Sequence, residues 1–280
     1  MSALRTVSLK QGIIYGPVSS RRLGRSLGIN LLGAGRKVCT FDCAYCQLRQ
    51  PRQYGVDYGA GGTVCKRACA RCRYVEPSPP ESGAVHVLPT VGSVLDAIGE
   101  ALREHCGLDS LTFSGNGEPT IHPQFAQIVD GLVPLRDALS PGAAITVLSN
   151  SSTLRRASVR NALRKVDVRV MKLDAGDEAT LRRTNRPCPG VALVEIVEGL
   201  RSLGGVTVQT LLVDGEAGNT GEGQIASWLQ ALARVRPQRV QLYSLDRVPA
   251  DGSLAVVPRE RLEAVAELAS RRTEAAIAVY

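Results

Sequence analysis

A chain of 280 residues, of which 44% are hydrophobic, is long enough to bury one large core. No segment has the roughly 20 consecutive apolar residues that cross a bilayer, so we expect a cytoplasmic protein that does not enter a membrane. Six of the eight cysteines fall in two tight clusters. That grouping in a chain of this length indicates metal binding and argues against the disulfide framework of a small secreted protein.

The net charge of +8 is unevenly distributed along the chain. Residues 1–75 contain thirteen Lys and Arg residues but only two Asp and no Glu. One interpretation is an anionic partner: RNA, a phosphorylated substrate, or an acidic electron donor of the flavodoxin or ferredoxin type. The other is a solvated basic face, together with arginines that offset the charge of a metal cluster.

Strand and helix patterns alternate from about residue 90 onwards. Apolar strand patterns cover residues 29–32, 110–114, 144–149, 168–173, 206–213 and 240–245. Helical spacing of apolar residues covers residues 94–104, 125–133, 154–163, 192–203, 225–235 and 259–275. About six β/α units predict an α/β fold with a parallel sheet, either open or a partial barrel. Its functional residues should follow the carboxyl ends of the strands.

The chemistry begins at a CxxxCxxC motif formed by Cys39, Cys43 and Cys46. Three thiolates can ligate three irons of a 4Fe-4S cluster and leave the fourth iron open to a small molecule. A zinc knuckle or an incidental cysteine cluster is the alternative interpretation of this spacing. Tyr45 adds an aromatic side chain directly before the last cysteine.

A glycine-rich segment follows the strand predicted at residues 110–114. It contains Gly115, Asn116, Gly117 and Glu118. Glycines allow the backbone to approach a ligand closely, and the Glu118 carboxylate could pair with an ammonium group that also ligates iron. Because the cysteine motif also follows a predicted strand, we expect the two segments to meet on one face of the sheet.

Polar side chains recur at later strand ends, where they are candidates for ligand binding. They are Ser149, Asn150, Ser151, Lys172, Asp174 and Tyr243. The small side chains at residues 149–151 could hold a ribose. Turn formation and helix capping account for part of the same pattern.

Segments 15–30, 39–46, 113–120, 148–153, 172–178 and 240–249 resemble a known group of enzymes. This is the group of radical S-adenosylmethionine (SAM) iron–sulfur oxidoreductases related to the wyosine-base synthases, which act on tRNA. The resemblance implies a partial (β/α)6 barrel and a 4Fe-4S cluster that cleaves SAM reductively to a 5′-deoxyadenosyl radical. It does not imply a substrate.

The same resemblance implies roles for individual residues. Cys39, Cys43 and Cys46 would ligate the cluster, and Tyr45 would lie beside the adenine of SAM. Residues 115–118 would bind the SAM amino group. Ribose or carboxylate contacts are expected around Asn150 and Asp174. The resemblance does not assign catalytic residues; the candidates are the polar residues Lys172, Asp174 and Tyr243 at the strand ends.

Residues 47–89 interrupt the pattern and are predicted to be a Cys-rich insertion within a single domain of residues 1–280. The insertion repeats the CxxxCxxC spacing at Cys65, Cys69 and Cys72, with basic residues beside the cysteines. A second 4Fe-4S cluster, placed as a lid over the barrel mouth, is the preferred interpretation. Zinc held by these cysteines and His86 is the structural alternative, and unligated thiols are the third.

Two other classes of function are compatible with parts of the sequence. A nucleic-acid-binding protein with two zinc knuckles would explain the charge and both cysteine triads, but not residues 115–118 or the six β/α units. A glycyl-radical activating enzyme would use the same SAM cleavage on a large protein partner. The sequence favours a radical SAM enzyme that modifies an RNA base, such as one in tRNA, or a small molecule.

Overall fold

The computed structural model describes residues 8–34, 37–48, 88–246 and 252–280. Cys65, Cys69, Cys72 and His86, with most of the predicted insertion at 47–89, lie outside the described residues. No helix within these four ranges is both long and apolar enough to cross a membrane.

One eight-stranded sheet forms the centre of the fold, in the order β1-β2-β3-β4-β5-β6-β8-β10. All neighbouring strands from β2 to β10 are parallel, and β1 pairs with β2 as an antiparallel hairpin. A separate antiparallel pair joins β7 to β9. The strands are β1 (Ile14–Ser20), β2 (Gly24–Ile29), β3 (Ser110–Phe113), β4 (Ala144–Ser149), β5 (Val168–Lys172), β6 (Thr207–Leu211), β7 (Val213–Gly215), β8 (Arg239–Tyr243), β9 (Leu254–Val256) and β10 (Ala276–Val279).

Helices alternate with the parallel strands, as the predicted β/α units require. They are α1 (Val91–Glu104), α2 (Phe125–Leu139), α3 (Ala157–Leu163), α4 (Glu178–Thr180), α5 (Leu193–Leu203), α6 (Glu222–Val235) and α7 (Arg259–Ser270). A 3-10 helix at Pro119–Ile121 and a π-helix at Leu181–Asn185 lie between them. Thr90 caps the amino-terminal end of α1, and its side chain accepts a hydrogen bond from the backbone N–H of Ser93.

The core lies between the sheet and the helices. β3 is buried on both faces, which is why its residues form a continuous apolar and small-polar run without alternation. Trp228 of α6 is fully packed and its indole N–H donates to the backbone oxygen of Leu173, 3.0 Å away. Leu111 and Phe113 of β3 have no exposed surface. This packing fixes the strand ends that carry the site.

Six strands of the parallel sheet, β2 to β6 and β8, correspond to the six predicted units. The strand predicted at residues 29–32 was misplaced, because the strand is Gly24–Ile29, where it pairs with both β1 and β3. The helix predicted to reach residue 275 was too long. It ends at Ser270, and the chain returns to the sheet as β10 beside β8.

Candidate functional site

The CxxxCxxC loop follows β2 and opens into one cavity of about 250 Å³. Cys39, Cys43 and Cys46 all line this cavity, and each is a half-buried free cysteine. The wall is completed by the segment after β3 and by residues at the ends of β4 and β5. The expectation that these segments meet on one face of the sheet is therefore fulfilled.

The thiols of Cys39 and Cys43 are weaker acids than an ordinary cysteine thiol, because their pKa values are raised. Burial raises the pKa of the Cys39 thiol, and the negative charges of Cys43 and Glu118 raise it further. Burial also raises the pKa of Cys43 to about 11, and Asp174 contributes in the same direction. Since metals bind the thiolate, loading this loop must release protons.

Residues 184–188, which we call the strap, begin in the π-helix and form hydrogen bonds with the cysteine loop. The backbone N–H of Ala44 donates to the oxygen of Thr184 at 2.9 Å, and the N–H of Cys188 donates to the oxygen of Thr40 at 2.8 Å. π-Helical turns are rare and often occur at functional sites. Here the π-helical turn at Leu181–Asn185 places residues 184–188 alongside the cysteine loop.

The glycine-rich segment is bonded directly to the start of the same loop. The N–H of Val38 donates to the oxygen of Asn116 at 2.8 Å, and the N–H of Glu118 donates to the oxygen of Val38 at 3.0 Å. Gly117, between them, has φ +143°, and a Cβ atom built there would lie 1.8 Å from the Val38 oxygen. Only glycine permits this approach.

Glu118 is 1% exposed and points its carboxylate between the ends of β3 and β4. Its Oε1 accepts from the N–H and hydroxyl of Thr120 and from the Ser149 hydroxyl, at 3.1, 2.5 and 2.9 Å. Its Oε2 accepts from the N–H of Asn150 at 2.5 Å. Burial raises the pKa of Glu118, although these hydrogen bonds oppose the shift. With one donor from the described residues, Oε2 retains capacity for a donor from a ligand.

Asn150 connects this carboxylate to a cysteine. Its side-chain Nδ2 donates to the Thr40 hydroxyl at 2.8 Å and to Cys39 Sγ at 3.4 Å, while its backbone N–H donates to Glu118. Both amide hydrogens therefore have partners on the protein. An N–H donor on a ligand sulfur is one of the factors that set the reduction potential of an iron–sulfur cluster.

Asp174 is enclosed behind the cavity wall, and its side chain has no exposed surface. It accepts hydrogen bonds from the Tyr45 hydroxyl, from Asn185 Nδ2 at 2.7 Å and from the N–H of Leu211 at 2.9 Å. A fourth contact, at 3.4 Å, is with Lys172 Nζ. The carboxylate thus holds other residues of the site in position.

Lys172 extends from the end of β5 into the cavity. Its Nζ lies 3.0 Å from the Tyr243 hydroxyl and 5.0 Å from the centroid of the Tyr45 ring. Burial alone would lower the pKa of Lys172, but the charge of Asp174 and the hydrogen bond to Tyr243 raise it overall. The side chain is therefore an ammonium group at neutral pH.

The predicted cofactor residues divide into two sets. Those that line the cavity are Tyr45, Gly115, Gly117, Glu118, Ser149 and Asn150. Those in its supporting layer are Asn116, Ser151 and Asp174. Asn116 uses its amide to hold the backbone of Lys10 and Gly33, and the Ser151 hydroxyl donates to the backbone oxygen of Lys172.

Two residues of the site were missed by the sequence reasoning. Lys37 is 2% exposed, lines the cavity and places its Nζ 3.0 Å from Asp42 Oδ1. Its position two residues before Cys39 was the available signal. Asn185, which donates to Cys43 Sγ at 3.5 Å, is far away in sequence and belongs to no motif.

The chemistry of these donors can be compared with that of the expected cluster. No group of three or more His, Cys, Asp and Glu residues within the described ranges is arranged to hold a metal ion. The fit instead depends on three cysteines sharing one cavity and on thiolate being the usual ligand of iron–sulfur clusters. A buried cation at Lys37 beside those thiols is also suited to an anionic cluster.

Solved structures share the fold at low sequence identity. TYW1 with a lysine-pyruvate adduct bound is 14% identical, has a TM-score of 0.55, and the match covers 89% of this chain and 74% of that one. A radical SAM methyltransferase from Sphaerobacter thermophilus is 16% identical with a TM-score of 0.56, over 91% of this chain and 65% of that one. At these identities the likeness establishes the fold, a radical SAM partial barrel.

Two relatives that are more than 30% identical carry the name UPF0026 protein. The one from Synechocystis sp. is 31% identical over 234 residues, which are 82% of this chain and 74% of the relative. The one from Methanocaldococcus jannaschii is 34% identical over 188 residues, 67% of this chain and 48% of the relative. The family description "Radical SAM superfamily" matches residues 37–220, which include the cysteine loop, the glycine-rich segment and the π-helix strap. The chain belongs to the radical SAM superfamily.

Proposed function

We propose that Cys39, Cys43 and Cys46 hold a 4Fe-4S cluster at which SAM is cleaved to modify an anionic substrate. Membership of the superfamily implies the cluster, SAM and a supply of electrons from a reducing partner. When bound, the cluster supplies one electron that breaks a carbon–sulfur bond of SAM and gives methionine and a 5′-deoxyadenosyl radical. The family membership supports an enzyme in place of a zinc-knuckle binding protein.

One observation carries this proposal: the three cysteines share a single cavity with Glu118 and the ends of two neighbouring strands. The open Oε2 of Glu118 is suited to accept a hydrogen bond from the SAM ammonium. Gly115 and Gly117 line the same cavity, and their lack of a side chain allows Asn30 and Val38 to pack closely against them. Tyr45 presents its ring to the same cavity.

We assign the candidate catalytic residues different roles. Lys172 lines the cavity as a cation and would contact substrate or SAM there. Asp174 and Tyr243 contact Lys172 from behind, so they are positioning residues for its ammonium group. None of the three is among the proposed cluster ligands.

The decisive experiment compares two cysteine variants. After anaerobic reconstitution and reduction, wild-type protein should convert SAM to 5′-deoxyadenosine, measured by liquid chromatography. Cys43→Ala should abolish the product, because a cluster ligand is lost. Cys106→Ala removes an exposed cysteine outside the cavity and should have wild-type turnover. Undiminished turnover in Cys43→Ala would refute the proposal.

The second triad, Cys65, Cys69 and Cys72, is proposed to hold an auxiliary 4Fe-4S cluster. The proposal depends on the repeated spacing and on the flanking basic residues. Substitution of all three by Ala should remove about half of the bound iron and leave SAM cleavage intact. One cluster of iron together with stoichiometric zinc in the wild-type protein would instead assign this triad to a structural zinc site.

The substrate is proposed to be anionic, either an RNA base such as one in tRNA or a phosphorylated small molecule. The positive charge of the amino-terminal segment supports this class. The same charge suits an acidic flavodoxin or ferredoxin as the electron donor.

A further inference from the structure

A second cavity of about 370 Å³ opens beside the cluster cavity. It lies between the turn that joins β1 to β2, the end of β8, the start of α7 and the side chain of Tyr280. Its charged lining residues are Arg21, Arg22, Arg259 and Asp246. Three cations face one carboxylate, so the cavity has an excess of positive charge.

Tyr243 forms a wall between the two cavities. Its side chain lines the second cavity, while its hydroxyl contacts Lys172 Nζ at 3.0 Å and donates to Gln209 Oε1 at 3.2 Å. Lys172 and Gln209 both line the cluster cavity. A molecule seated in the second cavity is therefore separated from the cluster cavity by one aromatic side chain.

The three arginines differ in what they contact. Arg21 pairs with Asp246 at 2.5 Å and Arg259 pairs with Glu263 at 2.8 Å. Among the residues that the structure describes, no carboxylate pairs with Arg22. Its guanidinium instead lies over two rings, 4.8 Å from the centroid of Tyr243 and 5.5 Å from that of Tyr280.

That arrangement leaves the Arg22 guanidinium with a stacked face and with N–H donors that no residue of the described ranges accepts. A guanidinium presents its donors in a planar fork that matches two oxygens of a phosphate group. The two tyrosine rings restrict the side chain before any ligand arrives, which reduces the entropy lost on binding. Arg25, in the same hairpin, instead donates its guanidinium to the backbone oxygen of Cys106.

We infer that the second cavity binds a phosphate group of the substrate, with Arg22 as its principal ligand. The inference extends the proposed function to a second site. It depends on the proposed function only in calling the bound molecule the substrate. Phosphate held there would be separated from Lys172 and the cluster cavity by the Tyr243 side chain alone. The phosphate could belong to RNA or to a small metabolite, because both offer the same oxygens.

The test measures binding of uridine 5′-monophosphate and of uridine by calorimetry, with S-adenosylhomocysteine present to fill the SAM site. Wild-type protein should bind the monophosphate at least tenfold more tightly than the nucleoside. Arg22→Met should lose this preference, and Arg22→Lys should restore only part of it because the fork is missing. Arg25→Met is the matched control and should retain wild-type affinity. Thermal denaturation of each variant confirms that it is folded.

Equal weakening by Arg22→Met and Arg25→Met would overturn the inference in favour of general surface charge, as would equal binding of nucleotide and nucleoside. If an unmodified tRNA transcript displaces uridine 5′-monophosphate, the phosphate belongs to RNA. If the transcript does not displace it, the phosphate belongs to a small molecule. Both results support the site. Reductive cleavage of SAM by the wild-type protein is measured separately. Its absence would refute the proposed function and leave the phosphate site intact.

Discussion

Gly117→Ala tests whether the glycine-rich segment and the cysteine loop are held together as one unit. The new Cβ would lie 1.8 Å from the oxygen and 2.5 Å from the carbonyl carbon of Val38, so the two backbones must separate. Separation breaks the two hydrogen bonds that Val38 makes to Asn116 and Glu118. Each such bond contributes about 1 kcal/mol and the strained φ costs roughly 1–3 kcal/mol, which gives a loss of about 3–5 kcal/mol.

The assay is urea denaturation of the cluster-free protein, followed by circular dichroism, together with iron content after reconstitution. Gly117→Ala should lower the denaturation midpoint and reduce iron loading, because Cys39 directly follows the displaced Val38. Gly142→Ala is the matched control, since no described residue other than its chain neighbours has an atom within 4 Å of the new Cβ. A Gly117→Ala midpoint equal to that of Gly142→Ala, with full iron loading, would refute this account of the contact.

Two further predictions concern hydrogen bonds to an ionised partner. Asn150→Ala removes the amide donor to Cys39 Sγ, so the cluster potential, measured by redox titration with electron paramagnetic resonance, should fall by about 60 mV if about 1.4 kcal/mol is lost. Asn219→Ala, a buried amide bonded only to backbone groups, should leave the potential unchanged. Burial would raise the pKa of Asp167, but the Ile145 N–H and Arg136 hold it below 3.8. The ionised Asp167 carboxylate therefore stabilises the folded protein above about pH 4, and this stabilisation is lost as the pH falls through the native pKa. In Asp167→Asn the melting temperature should depend less on pH in the acid range.

The sequence pattern was sufficient to predict the bounds of those strands whose residues are almost all buried. β3 and β4 were predicted almost to the residue, because strands buried on both faces require continuous apolar runs. β2 was misplaced because Gly24 and Gly28 weaken its local strand signal, and its position is set by pairing with distant β3. The 3-10 and π turns around the site depend likewise on tertiary contacts.

The same distinction applies to the site. Cys39, Glu118 and their neighbours were found because closely spaced cysteines and glycines are unusual in a chain. Asn185 was not found, since a single asparagine carries no signal until the fold brings it to Cys43. The supporting role of Asp174 was hidden for the same reason: its partners come from three separate segments.

The strap at residues 184–188 has a consequence for how the protein is made. Asn185 contacts Cys43 across 142 residues of chain, and Thr184 and Cys188 bond the same loop. During synthesis the cysteines emerge from the ribosome long before the segment that shapes their loop. A nascent chain that ends before residue 184 carries all three thiols without their hydrogen-bonded frame. Cluster insertion is therefore expected as a late event, after β5 has joined the sheet and the π-helix has formed. Iron delivered earlier would meet an unformed loop.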